Sequence, residues 1–246
     1  MRRSALIVAA AVLGVAGGLS AAGLAGAGRA GPPMVCHPVE IGSAKCPTFE
    51  RGSDRSGLMS RITDSLKTER DPLVRMETLR RGAVAIAAGK DGRQLGWELF
   101  GRLSAIALEQ EAAGKRDAQA WYDAGFLVGV FDQLNLDLDW RAGVADGMDG
   151  YAYVRKALAL AQEDRAPAAQ IGAMEYGAAL MTLPELRGRG REAPAGEGKV
   201  AYDAHILAAA RTAEAGSLLE RNLSAHLENW GTSLDRVRSK LAAAPR

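Results

Sequence analysis

From Leu58 to the C-terminus, apolar residues recur at intervals of three and four positions, the spacing of an α-helix. One such stripe consists of Met76, Leu79, Ala83 and Ile86. No window of five or more residues alternates apolar and polar side chains convincingly as a half-buried strand does. The spacing therefore predicts an all-α fold of about seven or eight helices.

The helix boundaries indicate how these helices are connected. Asp71 and Pro72 are a typical helix start, and Gly89 and Gly92 close that helix. Further stripes follow over 95–106, 120–134, 151–161 and 171–181, and a long helix is predicted over about 200–230. Short connections imply antiparallel neighbours, so we expect an antiparallel helical array, for which an α-solenoid is one arrangement.

Composition favours close helix packing. Hydrophobic residues make up 48% of the 246 residues but aromatic residues only 5%. Most of the apolar surface therefore comes from small side chains, which let helix axes approach each other. A tightly packed array is expected rather than a bundle with a large internal cavity.

The N-terminus has the layout of a secretory signal peptide. Arg2 and Arg3 precede an uncharged stretch over 5–25, and small residues at Ala25 and Ala27 provide a cleavage site. We predict cleavage after Ala27 and export from the cytoplasm, with a retained signal-anchor helix as the alternative. No later stretch is apolar for the roughly 20 residues that a membrane span needs.

Charge argues against a nucleic-acid partner. The chain has 31 basic and 29 acidic residues, and two of the basic ones are Arg2 and Arg3. Removal of residues 1–27 therefore leaves 29 basic against 29 acidic residues. A neutral mature chain lacks the positive potential on which nucleic-acid binding depends.

The chain divides into three predicted parts. Residues 1–27 are the signal peptide, 28–57 are an extended lead-in segment with two cysteines, and 58–246 are the helical domain. Within that domain, 184–199 contains two prolines and four glycines and is predicted to be a flexible loop.

Cys36 and Cys46 are the two cysteines of the chain, and nine residues separate them. Export places them in an oxidising compartment, so we predict a disulfide, which stabilises by roughly 2–3 kcal/mol in the loop-entropy model. The alternative is a zinc or copper site formed with His37, since thiolate and imidazole both suit these ions. No fourth ligand is evident.

The two histidines of the helical domain are His205 and His226. On one continuous helix they would lie roughly 30 Å apart and could not share a metal ion. The alanines around His205 suggest a helix–helix seam. His226 lies in a stripe with Leu223 and Trp230, which is typical of a histidine at the edge of the core.

The densest cluster of carboxylates occupies 132–149. Its members are Asp132, Asp137, Asp139, Asp146 and Asp149. A calcium loop starting at Asp137 fails, because Ala142 replaces the required glycine and Met148 the final glutamate. These side chains are interpreted as helix caps and solvated groups, as a ligand or metal site, or as paired catalytic acids. As the candidate ligand site we take the five aspartates with His226.

Two motifs resemble a tetratricopeptide repeat. The first is Trp121-x-x-Ala124-Gly125-x-x-Val128, which resembles the first helix of that repeat. The second is Ala152-x-x-x-Lys156-Ala157-Leu158-x-Leu160, which resembles the second helix. The connection between them is about a dozen residues longer than in a standard repeat, with 135–150 as an insertion. The resemblance implies stacked helix pairs that present a groove.

Two other stretches resemble uncharacterised exported bacterial proteins. They are Cys36-His37-Pro38 through Ile41-Gly42-Ser43-Ala44-Lys45, and Arg75-Met76-Glu77-Thr78-Leu79-Arg80-Arg81. This resemblance implies no particular activity.

Function is predicted from these features together. No Gly-x-Ser-x-Gly, Walker or Gly-x-Gly-x-x-Gly motif occurs in the mature chain, and no cofactor is expected. We expect a non-enzymatic binding module of the cell envelope with a protein or ligand as its partner. The alternative is an all-α enzyme that acts on a saccharide or cell-wall fragment through carboxylates in 132–149. A metal-binding protein that uses Cys36 and His37 is a third hypothesis.

Overall fold

The computed structural model describes residues 38–49, 56–134, 149–182 and 197–243. In these ranges the chain forms nine α-helices and no strand, so the all-α prediction is confirmed. The helices are α1 Ser56–Thr68, α2 Pro72–Ala87, α3 Gly92–Ala112, α4 Ala118–Gln133, α5 Gly150–Glu163, α6 Ala168–Met181, α7 Glu197–Thr212, α8 Leu218–Asn229 and α9 Leu234–Ala243. The solenoid arrangement stays a prediction.

The single long helix predicted over 200–230 is wrong, because a turn separates α7 from α8. Gly216 adopts a φ of 76° there, which a residue without a β-carbon tolerates. The Glu220 amide donates to Ser217 Oγ at 3.1 Å, and the Gly216 amide donates to the Glu220 carboxylate at 2.6 Å. This reciprocal cap fixes the start of α8. His205 and His226 therefore lie on different helices.

The core is built around α2, α4 and α6, which contact one another. Tyr122 of α4 is buried at their centre, and its hydroxyl lies 3.1 Å from Met76 Sδ and 3.2 Å from the Met174 carbonyl. A β-carbon added to Gly177 would lie 1.8 Å from that hydroxyl, so the glycine makes room for the tyrosine. One phenol thus joins the three central helices.

Glycines also allow the outer helices to approach the central ones. A β-carbon on Gly125 of α4 would lie 2.5 Å from the Gly150 carbonyl, and one on Gly150 would lie 2.7 Å from the Gly125 carbonyl. A β-carbon on Gly172 of α6 would lie 1.8 Å from Thr212 Oγ1 of α7. These close approaches fix the start of α5 and the pairing of α6 with α7.

A buried ion pair joins α2 to α4. Arg75 donates two hydrogen bonds to the Asp123 carboxylate, and both side chains are almost completely enclosed. The same guanidinium donates to the carbonyls of Leu66 and Glu69 at 2.5 and 2.6 Å. The pair therefore also fixes the connection between α1 and α2.

Candidate functional site

Two groups of hydrogen-bonded polar side chains lie at the edge of the helical core. The first is the segment site, formed by Glu77 of α2 and Asn222 of α8 around the N-terminal segment, residues 38–49. The second is the histidine relay, formed by Glu175 of α6, His205 of α7 and Tyr151 of α5.

In the segment site, Asn222 contacts the N-terminal segment through both polar atoms of its amide. The Glu40 backbone amide donates to Asn222 Oδ1 at 2.8 Å, and Asn222 Nδ2 donates to the Glu40 carbonyl at 2.9 Å. The asparagine is 5% exposed. It pairs with the backbone as the neighbouring strand of a sheet would, so these two hydrogen bonds do not depend on the side chain at position 40.

Glu77 supplies the second backbone contact. Its carboxylate accepts a hydrogen bond of 3.0 Å from the Val39 amide, and it also accepts from Arg80 and Arg81 at 2.6–2.8 Å. Burial alone would raise the pKa of this carboxyl, but the hydrogen bonds from Arg80 and Arg81 outweigh it and lower the pKa. The carboxylate is therefore ionised and held in place.

Side chains of the N-terminal segment add further contacts. Val39 is buried, with 4% of its surface exposed, and Glu40 pairs with Arg221 at 2.7 Å. Gly42 has a φ of 60°, and a β-carbon there would lie 3.3 Å from Leu218 Cδ2. The segment is thus bound by an apolar anchor, an ion pair and a tight turn over α8.

Cys46 lies at the far end of the N-terminal segment. Its Sγ is 3.3 Å from Thr78 Oγ1, and burial raises the pKa of its thiol. Cys36 and His37 lie outside the described residues, so the disulfide and the alternative metal site remain predictions. The described part of the lead-in is held by Glu77 and Asn222, two attachments that its sequence does not indicate.

The histidine relay joins three helices. His205 Nδ1 lies 2.5 Å from Glu175 Oε2, and His205 Nε2 lies 2.7 Å from the Tyr151 hydroxyl. An ionised carboxylate only accepts hydrogen bonds, so His205 Nδ1 carries a proton and donates it to Glu175. In the neutral imidazole, Nε2 then accepts a hydrogen bond from the Tyr151 hydroxyl. The order matches a nucleophile, its base and the group that orients the base.

The relay runs from the interior towards the surface. Glu175 is buried, the His205 side chain is 13% exposed, and Tyr151 is half-buried. The Arg155 guanidinium, one turn further along α5, lies 5.3 Å from the centre of the Tyr151 ring. A cation over an aromatic ring favours negative charge on that ring. Tyr151 and His205 are therefore both partly exposed, and the phenol lies beside a positive charge.

An aromatic cluster lies next to the relay. Tyr202, three residues before His205 on α7, has its hydroxyl 2.8 Å from His226 Nε2. The rings of Tyr176 and Trp230 lie within about 6 Å of the His226 ring. Burial raises the pKa of Tyr176 and of Tyr202. His226 is thus a buried histidine packed among aromatic rings. This agrees with the position at the edge of the core that its sequence spacing predicts.

The structure describes two of the five aspartates in the predicted ligand site. Asp132 is exposed on α4, and Asp149 accepts a 3.0 Å hydrogen bond from the Tyr151 amide and caps α5. The remaining three, Asp137, Asp139 and Asp146, lie outside the described residues. The carboxylate site therefore stays a prediction. One of its members, Asp149, caps a helix in the structure.

The described residues contain neither a membrane-spanning helix nor a cluster of potential metal ligands. Among the described residues, no helix combines the length and hydropathy required to cross a bilayer. Nor do these residues bring together three or more histidine, cysteine, aspartate or glutamate side chains in a way that could hold a metal ion.

Sequence reasoning missed Tyr151, Glu175, Glu77 and Asn222 as site residues. Tyr151 is 54 residues from His205, and Asn222 is 182 residues from Glu40. No local spacing marks such pairs, because the partners lie far apart in the sequence.

Comparisons of the chain with protein-family models, with curated proteins and with solved structures find no match. Function is therefore argued from the geometry of the two sites.

Proposed function

We propose that the protein is an exported helical module of the cell envelope that binds an extended segment of a protein partner. The observation that carries the proposal is the pair of hydrogen bonds between Asn222 and the backbone of Glu40. Backbone pairing combined with a side-chain pocket is how proteins bind extended peptides. The chain's own N-terminal segment occupies the segment site in this way.

The contacts of the N-terminal segment define the partner's chemistry. Val39 fills a buried apolar position, and Glu40 pairs with Arg221 at the surface. A partner segment is therefore expected to present an apolar residue followed by an acidic one. It must displace the chain's own segment, whose covalent attachment gives it a high effective concentration, on the order of millimolar.

The test uses the mature full-length chain and a labelled synthetic peptide with the sequence of residues 38–49, with serine in place of Cys46. Val39→Asp puts a charge at a buried apolar position and releases the chain's own segment. We expect this variant to bind the peptide at least about 10-fold more tightly than the unmodified chain, because it removes the intramolecular competitor. Fluorescence anisotropy measures both affinities.

Asn222→Ala in the Val39→Asp background should abolish peptide binding. The matched control is Asn229→Ala, which changes an exposed asparagine on the same helix and should leave binding intact. Peptide binding that persists without Asn222, or no binding by the Val39→Asp variant, would overturn the proposal.

The envelope location is tested separately. The proposal of export rests on the predicted signal over 1–27. Mass spectrometry of the protein isolated from the periplasm or medium should give a chain that begins at Gly28. Recovery of the uncleaved chain in the cytoplasm alone contradicts export but leaves segment binding standing.

A further inference from the structure

We propose that Tyr151 is a nucleophile activated by His205, and that the protein thereby reacts with carboxylic esters that have good leaving groups. The inference is independent of segment binding, because it rests on the histidine relay of α5, α6 and α7. His205 is the catalytic base in this proposal, and Glu175 is a positioning residue.

The hydrogen bonds of the relay assign these roles. Glu175 fixes His205 with Nδ1 towards the core, which turns Nε2 to the Tyr151 hydroxyl at 2.7 Å. An adjacent base within hydrogen-bond distance is the usual way to activate a weak oxygen nucleophile. Arg155, 5.3 Å from the ring centre, favours the phenolate that proton transfer creates.

Two other tyrosines of the described chain, Tyr122 and Tyr202, differ from Tyr151 in their surroundings. Tyr122 is buried and hydrogen-bonds within the core, and burial raises its pKa. The Tyr202 hydroxyl also contacts a histidine, His226, but this contact lies within the aromatic cluster. Burial there raises the pKa of Tyr202. Tyr202 therefore serves as an internal control, because it is a second tyrosine whose hydroxyl contacts a histidine and burial raises its pKa.

The reaction is an acyl transfer in two steps. The Tyr151 hydroxyl proton passes to His205 Nε2 as the phenol oxygen bonds to the acyl carbon, and the bond to the leaving group breaks. The leaving group takes the proton from His205. Water then attacks the tyrosyl ester, its proton passes to His205, and the Tyr151 oxygen leaves and takes that proton back. The sum is one ester and one water converted to one acid and one alcohol.

The chemistry of the intermediate limits the substrate class. A tyrosyl ester is a phenyl ester and is higher in energy than an alkyl ester. Efficient transfer therefore requires a leaving group at least as good as a phenol. Aryl esters and thioesters meet this condition, and p-nitrophenyl acetate is the probe.

The experiment is acetylation of the mature protein by p-nitrophenyl acetate, followed by absorbance and by peptide mass mapping. We expect a burst of one p-nitrophenolate per chain with the acetyl group on Tyr151. Tyr151→Phe should lose the burst, and His205→Ala should slow it about 100-fold, a typical contribution of a general base. Added imidazole should restore much of the rate in His205→Ala, which a purely structural role of His205 does not predict.

Further variants separate chemistry from folding. Glu175→Gln should slow the burst, and Glu175→Asp should recover part of it, while circular dichroism and thermal unfolding confirm that each variant is folded. Tyr202→Phe should react like the unmodified protein. Equal burst rates in Tyr151→Phe and the unmodified chain, or acetyl groups mapped to lysines and other tyrosines instead of Tyr151, would refute the proposal.

Discussion

Glu77 and Glu175 occupy similar places in the core but have different partners. Each follows a buried methionine on a central helix, and both methionines lie against the Tyr122 hydroxyl. Glu77 accepts hydrogen bonds from two arginines and a backbone amide, whereas Glu175 is bonded to His205.

The partners determine what each carboxylate can do. Arginine stays protonated at any pH that a protein meets, so the charge around Glu77 is fixed and serves to hold the N-terminal segment. Histidine has two ring nitrogens that can hydrogen-bond at the same time. In His205, one nitrogen contacts Glu175 and the other contacts the Tyr151 hydroxyl. Burial alone therefore does not distinguish a structural glutamate from one with a chemical role.

The largest expected effect comes from removing the two carboxylates in turn. Glu77→Ala removes a buried carboxylate that accepts hydrogen bonds from Arg80, Arg81 and the Val39 amide, and should lower the free energy of unfolding by about 3–5 kcal/mol. Glu175→Ala should lower it by about 1–3 kcal/mol, because it removes the single hydrogen bond between Glu175 and His205 Nδ1. Urea denaturation at pH 7 measures both. If Glu175→Ala lost more unfolding free energy than Glu77→Ala, Glu175 would be the carboxylate that stabilises the fold more.

The pH dependence of stability sharpens the same comparison. Hydrogen bonds from Arg80 and Arg81 outweigh the effect of burial and lower the pKa of Glu77 from its ordinary value of 4.5. The stability that this carboxylate contributes is therefore present above pH 4.5 and is lost as pH falls through its lower folded-state pKa.

Urea denaturation at a series of pH values checks this expectation. The difference in unfolding free energy between the unmodified chain and Glu77→Gln should be constant near neutral pH. It should become smaller as the pH is lowered towards about 3. A difference that does not change on acidification would mean that the pKa of Glu77 is the same in the folded and unfolded protein, and a difference that grows would mean that the folded protein keeps this carboxyl protonated.

Much of the fold follows from local sequence. The stripe containing Met76 and Ile86 and the cap at Asp71 predict α2, and the structure places Asp71 at its N-cap. The turn at Gly216 and Ser217 was missed although Ser217 and Glu220 have the spacing of a capping box, because the apolar stripe continues across it.

The two sites follow less directly from the sequence. Met76-Glu77 and Met174-Glu175 share a dipeptide. Arg80 and Arg81 follow Glu77 at the three- and four-residue spacing of ion pairs on one helix, whereas nothing near Glu175 indicates its contact with His205. Close approach of α6 and α7 at Gly172 brings those helices together, and that contact is a property of the folded chain. A sequence pattern shows which face of a helix is buried but not which polar side chain it meets there.

Asn222 provides a smaller and more local test of the segment site. Asn222→Ala removes both hydrogen bonds to Glu40 and should lower the free energy of unfolding by about 1–2 kcal/mol. Hydrogen exchange of the Glu40 amide should become faster while the amides of α6 keep their protection. Unchanged exchange at Glu40 would show that Asn222 does not hold the N-terminal segment.

The smallest effect separates backbone strain from binding of the segment. Gly42 and Gly216 have φ values of 60° and 76°, so alanine at either position should destabilise by about 1 kcal/mol through the same left-handed conformation. Only Gly42 lies against Leu218, where an added β-carbon would be 3.3 Å away. Gly42→Ala should therefore also accelerate exchange of the Glu40 amide, whereas Gly216→Ala should lower the unfolding free energy without that local change. Equal exchange at Glu40 in the two variants would mean that the turn at Gly42 does not position the segment on α8, whose attachment would then depend on the contacts of Val39 and Glu40.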